Sequence, residues 1–209
     1  MTENERVLRE LLLQSLRGRG AHMPFEDAVK DFPREKLEFR VRIAPLAPIT
    51  SVAFAPGPSS GDREASGDLL AAGGYGTVTI WDLARGEAAR VLAPFPGTVH
   101  ALRFSPDGRL LAAGGGTSGE GLAVVFETSN WNETHRLVGH RKAVIDLAFA
   151  PDGLSLASAS FDKTVKVWDL TAWKEAFTLG EHSDIVHAVA FLDGGKVLAS
   201  AGRDRSVKL

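Results

Sequence analysis

The chain has 209 residues, of which 44% are hydrophobic, and this is enough for one sizeable domain or for part of a larger one. Its formal net charge of -2 argues against nonspecific binding to nucleic acid as the main role. The sequence holds no cysteine, no apolar run of membrane-spanning length and no hydrophobic segment behind a basic one. We therefore expect a cytoplasmic protein without a disulfide framework, a membrane span or a secretory signal.

Residues 1–36 predict a short helical extension. Apolar side chains recur on one face over 2–17, and Gly18 and Gly20 supply a stop. A second short helix is predicted over 25–32, between two prolines. The stretch RELLLQSLRGRGAHMPFEDAVKDFP (9–33) resembles the opening of DinB-like helical-bundle proteins. The later histidine-bearing helices that bind metal in that family are absent, so no DinB-like activity follows.

Residues 37–43, LEFRVRI, alternate apolar and charged side chains and predict a strand with one solvent-facing side. The strand precedes ITSVAF in the same way that AARVL, THRLV and EAFTL precede similar segments further along the chain. Residues 56–68 and 114–121 read as insertions in turns. We expect 37–43 to be an outer strand of a repeating sheet unit.

The segment 139–170 defines that unit. It contains three short apolar runs of strand length, AVIDLAF, LSLASAS and TVKVW. Pro151-Asp152-Gly153 separates the first two runs and Asp162-Lys163 separates the last two, so both connections are tight turns. The unit is therefore three antiparallel strands, and the same pattern recurs three more times.

The spacing of aromatic residues supports the repeat. The aromatic residues near the ends of third strands are Trp81, Phe126 and Trp168, and each is followed 23 residues later by a first-strand phenylalanine: Phe104, Phe149 and Phe191. A repeat of about 40–45 residues with four strands and Gly-His and Trp-Asp landmarks is typical of a propeller blade. A single blade cannot bury both faces of its sheet, so neighbours must stack on it.

The chain resembles the WD-repeat β-propeller family over 37–209, in residues that form two matching sets. The first set is His140, Ser158, Asp162 and Trp168, and the second is His182, Ser200 and Asp204. The resemblance implies that each set is a buried hydrogen-bonded network joining a loop histidine, a strand serine, a turn aspartate and, in the first set, the indole N–H. It also implies an all-β propeller with blades at about 49–92, 99–138, 144–179 and 185–209, the last incomplete.

The first two repeats depart from this pattern. Pro45 and Phe95 fall at the histidine position, Ala71 and Ala113 at the serine position, and Tyr75 at the first aspartate position. Without the polar network, these two blades should depend on hydrophobic packing, and we expect them to be less rigid.

The fourth repeat ends early. The spacing from Asp162 to Trp168 predicts a tryptophan six residues after Asp204, but Leu209 is the last residue. We expect a truncated sequence or an open ring of about four blades. Each end would then present an uncovered apolar sheet face, and the chain could associate with itself through these end blades.

Motifs that could indicate chemistry have simpler explanations. Residues 114–119 fit G-x-G-x-x-G, but they lie between two strands with no following helix, so a dinucleotide site is not favoured. His182, Asp184 and His187 could be metal ligands, yet His182 already belongs to a repeat and His187 lies along a strand. We expect no catalytic residue, no metal and no cofactor.

A loop surface remains as the functional site, since propeller sheets are used up in packing. By position, the resemblance points to these residues as a partner face: Arg141, Lys142, Phe161, Lys163, Asp184 and Arg203. The favoured function is a non-catalytic scaffold that presents this face to an unknown protein or peptide, with no nucleic acid and no membrane involved. The alternative is a regulatory or substrate-presenting module of a larger multidomain enzyme.

Overall fold

The computed structural model describes residues 49–56, 69–83, 85–93 and 96–209. The predicted helices at 2–17 and 25–32, and with them the DinB-like segment, lie outside these residues. The predicted strand at 37–43, nearly all of the insertion at 56–68, and the positions of Pro45 and Phe95 lie outside them too.

The described residues form fifteen strands in four antiparallel sheets, each built from consecutive strands of the chain. The first sheet contains β1 (Ser51–Phe54), β2 (Leu69–Gly73), β3 (Val78–Asp82) and β4 (Glu87–Leu92). The second contains β5 (Thr98–Phe104), β6 (Leu110–Gly116), β7 (Gly121–Glu127) and β8 (Glu133–His140). The third contains β9 (Val144–Phe149), β10 (Ser155–Ser160), β11 (Val165–Asp169) and β12 (Lys174–Leu179). The fourth contains β13 (Val186–Leu192), β14 (Val197–Gly202) and β15 (Val207–Lys208), with a 3-10 turn at Asp193–Gly195.

A tight turn connects the first two strands of the third sheet. Between β9 and β10, Gly153 adopts φ of 73°, and the Leu154 N–H donates to the Asp152 carboxylate at 2.9 Å. A positive φ is easily adopted by glycine, and an aspartate that accepts from the backbone two residues ahead stabilises the turn. The Pro-Asp-Gly sequence thus gives the turn that the sequence predicted.

The four sheets pack face to face in chain order. Strand β1 contacts β5, β5 contacts β9, and β9 contacts β13, so the first strand of each sheet lies beside the first strand of the next. Three apolar clusters fill the three interfaces. The central cluster joins Leu147, Leu156 and Trp168 of the third sheet to Ala112 and Val125 of the second. The prediction of an all-β fold made of about four propeller blades is confirmed.

The glycine run of β6 has a packing explanation. A Cβ atom on Gly114 would lie 2.8 Å from Cγ1 of Val144 and 3.1 Å from Cδ1 of Leu147, both on the neighbouring strand β9. Because real Cβ atoms do not approach so closely, only glycine lets the second and third sheets come together here. Strand β7, rather than a helix, follows the run. The G-x-G-x-x-G pattern therefore belongs to an interface between sheets.

One sequence-based assignment is wrong by one residue. In the third sheet Trp168 pairs with Leu156, and Ser158 lies two residues after Leu156. In the first sheet Trp81 pairs with Leu70. The serine position of the first sheet is therefore Ala72, and not Ala71. The chain from Leu70 to its partner Trp81 is one residue shorter than the chain from Leu156 to its partner Trp168, which shifts the count. In the second sheet Leu111 pairs with Phe126, so Ala113, two residues after Leu111, stays at the serine position.

One face of the fourth sheet is uncovered, and we call it the end face. Its side chains are aligned by the register of β13, β14 and β15, and they are Ala188, Ala190, Leu192, Val197, Ala199, Ala201 and Val207. Leu192 is 46% exposed and Val207 is 70% exposed. The opposite face buries Val186 and Val189 against the third sheet. The expected uncovered apolar face is present at this end of the stack.

The first sheet behaves differently. Ala72, Thr79 and Trp81 lie on the face that points away from the second sheet, and all three are buried. The expectation of an uncovered face at both ends is therefore wrong for these residues of the first sheet. Any self-association through an uncovered sheet face would involve the fourth sheet.

We predict that the 209-residue chain self-associates through the end face, because burying an apolar sheet face releases its hydration water. The double variant Leu192→Lys/Val207→Lys should shift the chain toward the monomer in light scattering. The matched control Val138→Lys/Leu154→Lys changes two other exposed apolar residues and should leave the association unchanged. A monodisperse parent monomer, or equal behaviour of the two doubles, would contradict this prediction.

Candidate functional site

The first predicted set is assembled around His140, the last residue of β8. Its Nδ1 lies 2.9 Å from Oδ2 of Asp162, in the turn between β10 and β11, and its Nε2 lies 2.8 Å from Oγ of Ser158 on β10. The indole Nε1 of Trp168 on β11 donates to the same serine oxygen at 2.9 Å. His140, Ser158 and Trp168 are buried, so the set joins the second sheet to the interior of the third.

The proton positions follow from the partners. An ionised carboxylate only accepts, so Nδ1 of His140 carries the proton, and an indole N–H only donates, so the Ser158 oxygen accepts from Trp168. The serine O–H is then free to donate to Nε2 of His140. With a neutral His140, every donor in the set has an acceptor. Trp168 donates to Ser158, Ser158 donates to His140, and His140 donates to Asp162.

The Asp162 carboxylate accepts four hydrogen bonds. One oxygen accepts from His140 and from the backbone N–H of Arg141 at 2.8 Å, and the other accepts from the N–H and the hydroxyl of Thr164 at 3.0 and 2.6 Å. Burial alone would raise the pKa of Asp162, but the hydrogen bonds from His140 and Thr164 outweigh it and hold the pKa well below its ordinary value. The carboxylate is therefore ionised and fixes the turn.

The second set repeats this geometry in the fourth sheet. His182 contacts the Asp204 carboxylate through Nδ1 and Oγ of Ser200 through Nε2, both at 2.9 Å. Hydrogen bonds from the Ser206 hydroxyl and from His182 hold the pKa of Asp204 well below its ordinary value, against the opposing effect of burial. Ser206 takes the role that Thr164 has in the third sheet. The threonine or serine two residues after the aspartate was missed in the sequence, although its spacing is the same in both repeats.

The first sheet lacks this network. Ala72 stands at the serine position, and the buried indole Nε1 of Trp81 has no hydrogen-bond partner among the described residues. The side chains that do pack in this sheet are apolar, including Val78 and Ile80, which are fully buried against the second sheet. The expected dependence on hydrophobic packing agrees with these contacts.

A cleft of about 640 Å³ opens among the loops of all four sheets, and we call it the loop cleft. Its lining residues are Tyr75, Gly97, Thr98, His100, Gly116, Thr117, Ser118, Lys142, Ala143, Phe161, Lys163, Asp184 and Ile185. Asp162 holds a turn that borders the cleft, since the lining residues Phe161 and Lys163 flank it. Its size is within the range of ordinary ligand pockets.

The loop cleft brings together four of the six residues predicted for a partner face. Lys142, Phe161, Lys163 and Asp184 line it, whereas Arg141 and Arg203 do not. The Arg203 guanidinium instead lies 3.9 Å from the Asp184 carboxylate. The backbone N–H of Arg141 donates to the Asp162 carboxylate.

Phe161 packs against the neighbouring sheet and also lines the cleft. Its ring meets the imidazole of His100 on β5 edge to face, with ring centroids 5.9 Å apart, and the side chain is only partly buried. It therefore covers the neighbouring sheet and also presents apolar surface to the cleft. Packing against the neighbouring sheet and lining the cleft are therefore compatible roles for Phe161.

Sequence reasoning missed the part of the cleft contributed by the first two sheets. Tyr75, which is 64% exposed, was seen only as a departure from the aspartate pattern, and Thr98 and His100 were not considered. An isolated bridge joins Tyr75 to Thr98 across the first interface. The equivalence of Tyr75 with the turn aspartate was the available signal, because that turn lies at the same end of every blade.

An inter-sheet ion pair was also missed. The Asp146 carboxylate on β9 accepts from the Arg103 guanidinium on β5 at 2.7 Å and from the backbone N–H of Val189 on β13 at 3.0 Å. Burial raises the pKa of Asp146, although Arg103 opposes this effect. One carboxylate thus connects the second, third and fourth sheets.

Two of the residues considered as metal ligands in the sequence, His182 and Asp184, have other contacts in the structure. Across residues 49–56, 69–83, 85–93 and 96–209, there is no group of three side chains placed to hold a metal ion. Both ring nitrogens of His182 are used within its set. In the same residues, no helix has the length and apolarity needed to cross a membrane.

Comparison with known proteins identifies the repeat. The family model described as "WD domain, G-beta repeat" matches residues 89–121, 131–169 and 173–209, which together are more than half of the chain.

Several curated proteins are similar over part of the chain. A component of chromatin assembly factor 1 from Mus musculus is 32% identical over 127 residues, covering 49% of this chain and 22% of that protein. The cdh1 component of the anaphase-promoting complex from Dictyostelium discoideum is 37% identical over 115 residues, covering 54% and 15%. "Transducin beta-like protein 3" of Rattus norvegicus is 34% identical over 131 residues, covering 59% and 14%. The matched part is less than a quarter of the length of each relative.

We predict that Asp162→Ala lowers the free energy of unfolding by roughly 2–4 kcal/mol, because it leaves His140 and Thr164 without their acceptor. Tyr75→Ala removes an exposed side chain near the corresponding turn and should cost far less. Urea unfolding followed by tryptophan fluorescence measures both. An Asp162→Ala variant within about 0.5 kcal/mol of the parent would show that the set does not stabilise the fold.

The same carboxylate predicts a pH dependence. Its pKa is lower in the folded chain than in the unfolded chain, so its stabilisation is present above about pH 4 and is lost as the pH falls through the folded pKa. The difference in unfolding free energy between the parent and Asp162→Asn should be constant near neutral pH and shrink below about pH 4. Chemical unfolding over a pH series tests this, and a constant difference down to strongly acidic pH would contradict it.

Proposed function

The chain belongs to the WD-repeat family, and we propose that it is a non-catalytic scaffold that holds a protein or peptide partner in the loop cleft. The observation that carries the proposal is the cleft itself, because all four sheets contribute residues to it. The sheet faces between neighbouring blades are buried against one another, so the loops are the surface to which all four sheets contribute.

The lining has the composition of a recognition site. Tyr75 and Phe161 offer apolar surface, while Lys142, Lys163 and Asp184 supply charge at the same opening. Aromatic anchors in a concave site with polar groups around them are the usual source of binding energy at protein interfaces. Phe161 is also fixed by its contact with His100, so little side-chain freedom is lost on binding.

The burial of the Ser-His-Asp sets supports a role without catalysis. Ser158 is fully buried, and its hydroxyl oxygen is already bonded to His140 and Trp168. A nucleophile must be reachable by its substrate and must have a position for the reacting atom beside it. The same applies to Ser200, whose hydroxyl is held by His182.

Two relatives are named for membership in larger assemblies, a chromatin assembly factor and the anaphase-promoting complex. Their names support an assembly role for this chain with a protein or peptide partner. That neither nucleic acid nor membrane is bound stays part of the proposal. The alternative is that the chain is a regulatory or substrate-presenting module of a larger enzyme. The cytoplasmic location stays a prediction.

The loop cleft is tested with Phe161→Ala. Peptides selected from a random displayed library on the immobilised parent should bind this variant at least about tenfold more weakly, because an apolar anchor is lost. Phe177→Ala removes an exposed phenylalanine from the outer strand β12 and should bind like the parent. Thermal melts of both variants check that the fold is kept. Equal binding by the two variants would place the partner site elsewhere.

A further inference from the structure

We propose that the partner segment is an acidic peptide in which a carboxylate side chain stands next to a large apolar one. The inference rests on the proposed function of the loop cleft and names the chemistry that the cleft selects. It is carried by the charges and rings of the lining.

Two ammonium groups at the cleft keep their positive charge uncompensated. Lys142 is exposed, and its side chain makes no hydrogen bond or ion pair within the part of the chain that the structure describes. The ammonium of Lys163 donates to the backbone carbonyl of Ser183 at 2.8 Å. That carbonyl holds Lys163 in position without neutralising it, so the group is a fixed cation at the opening.

The acidic residue of the lining does not offset these lysines. One oxygen of Asp184 accepts from the N–H of Ile185 at 2.8 Å, and the other lies 3.9 Å from the Arg203 guanidinium, which does not line the cleft. The negative charge of Asp184 therefore lies close to the positive charge of Arg203. Lys142 and Lys163 together give the cleft an excess of positive charge although the whole chain is slightly negative.

Apolar surface lies beside these cations. The Phe161 ring lines the same cleft as Lys142 and Lys163, and the exposed ring of Tyr75 is contributed by the first sheet. A carboxylate near an ammonium gains Coulomb energy that grows as water is displaced by a neighbouring apolar group. An acidic residue followed or preceded by a large apolar residue satisfies both features at once.

The same observations disfavour a nucleic acid. Affinity for a phosphate backbone grows with the number of cations that contact it, and two lysines are few for such a surface. The negative net charge of the chain also opposes long-range attraction of a polyanion. Short hydroxyl side chains complete the polar part of the lining, and they are Thr98, Thr117 and Ser118.

The test compares peptide selections on the parent and on Lys142→Glu, using one random displayed library. Peptides selected on the parent should be enriched in Asp or Glu adjacent to an aromatic or large aliphatic residue. Peptides selected on Lys142→Glu should lose this enrichment and gain Lys or Arg. Lys196→Glu makes the same charge change between β13 and β14, away from the cleft lining, and should select the parent's peptides.

Fluorescence anisotropy with the strongest synthetic peptide then gives the size of the effect. Replacing its Glu by Gln, or using Lys142→Glu in place of the parent, should raise the Kd by about tenfold, and added salt should reduce this difference. Thermal melts of the Lys142→Glu and Lys196→Glu chains check their folding.

Each other outcome has a distinct meaning. Enrichment of apolar residues without acidic ones, with binding still lost in Phe161→Ala, overturns the acidic-peptide inference and leaves the proposed function standing. Selected peptides that bind Phe161→Ala and the parent equally, or an absence of any enriched peptide, overturn both. Binding of a single-stranded oligonucleotide that Lys142→Glu abolishes would overturn the inference in favour of a nucleic acid.

Discussion

Burial of apolar sheet faces against one another is the constraint on which this structure depends. At the interface of the second and third sheets, small residues such as Gly114 and Ala112 lie against larger ones such as Leu147 and Trp168. Because the faces between neighbouring sheets are occupied, the loops are the surface that all four sheets share. The loop cleft thus depends on the packing of the sheets, since the loops that line it belong to four sheets joined by apolar clusters.

The two buried hydrogen-bonded sets fix only part of the cleft. In the third sheet the ionised Asp162, which accepts from several donors, holds the turn that borders the opening, and Phe161 and Lys163 are placed by this turn. In the first sheet the corresponding turn carries exposed Tyr75 and has no such network. The cleft therefore combines a rigid wall built on polar networks with a wall that is held mainly by apolar packing.

The repeat architecture and the polar sets could be read from the sequence, because the spacing of His, Ser, Asp and Trp is fixed by strand length and turn type. The shift from Ala71 to Ala72 could not, since one residue less between the paired positions changes the count without changing the pattern. Contacts between sheets, such as that of Arg103 with Asp146, depend on how two registers align in space. The first two sheets' share of the cleft was missed because their loops lack the residues by which the pattern is recognised.

Asp146 gives the stack a mechanical link that apolar packing alone would not supply. Its carboxylate holds Arg103 of the second sheet and the backbone of the fourth while it belongs to the third, so sliding of any one of these sheets would break a directional bond. The loops that carry Thr117, Phe161 and Asp184 thus belong to three sheets that are linked by directional bonds as well as by apolar packing. For the partner proposed in the loop cleft, these links hold the walls in place, so the entropy lost on association would fall mainly on the partner.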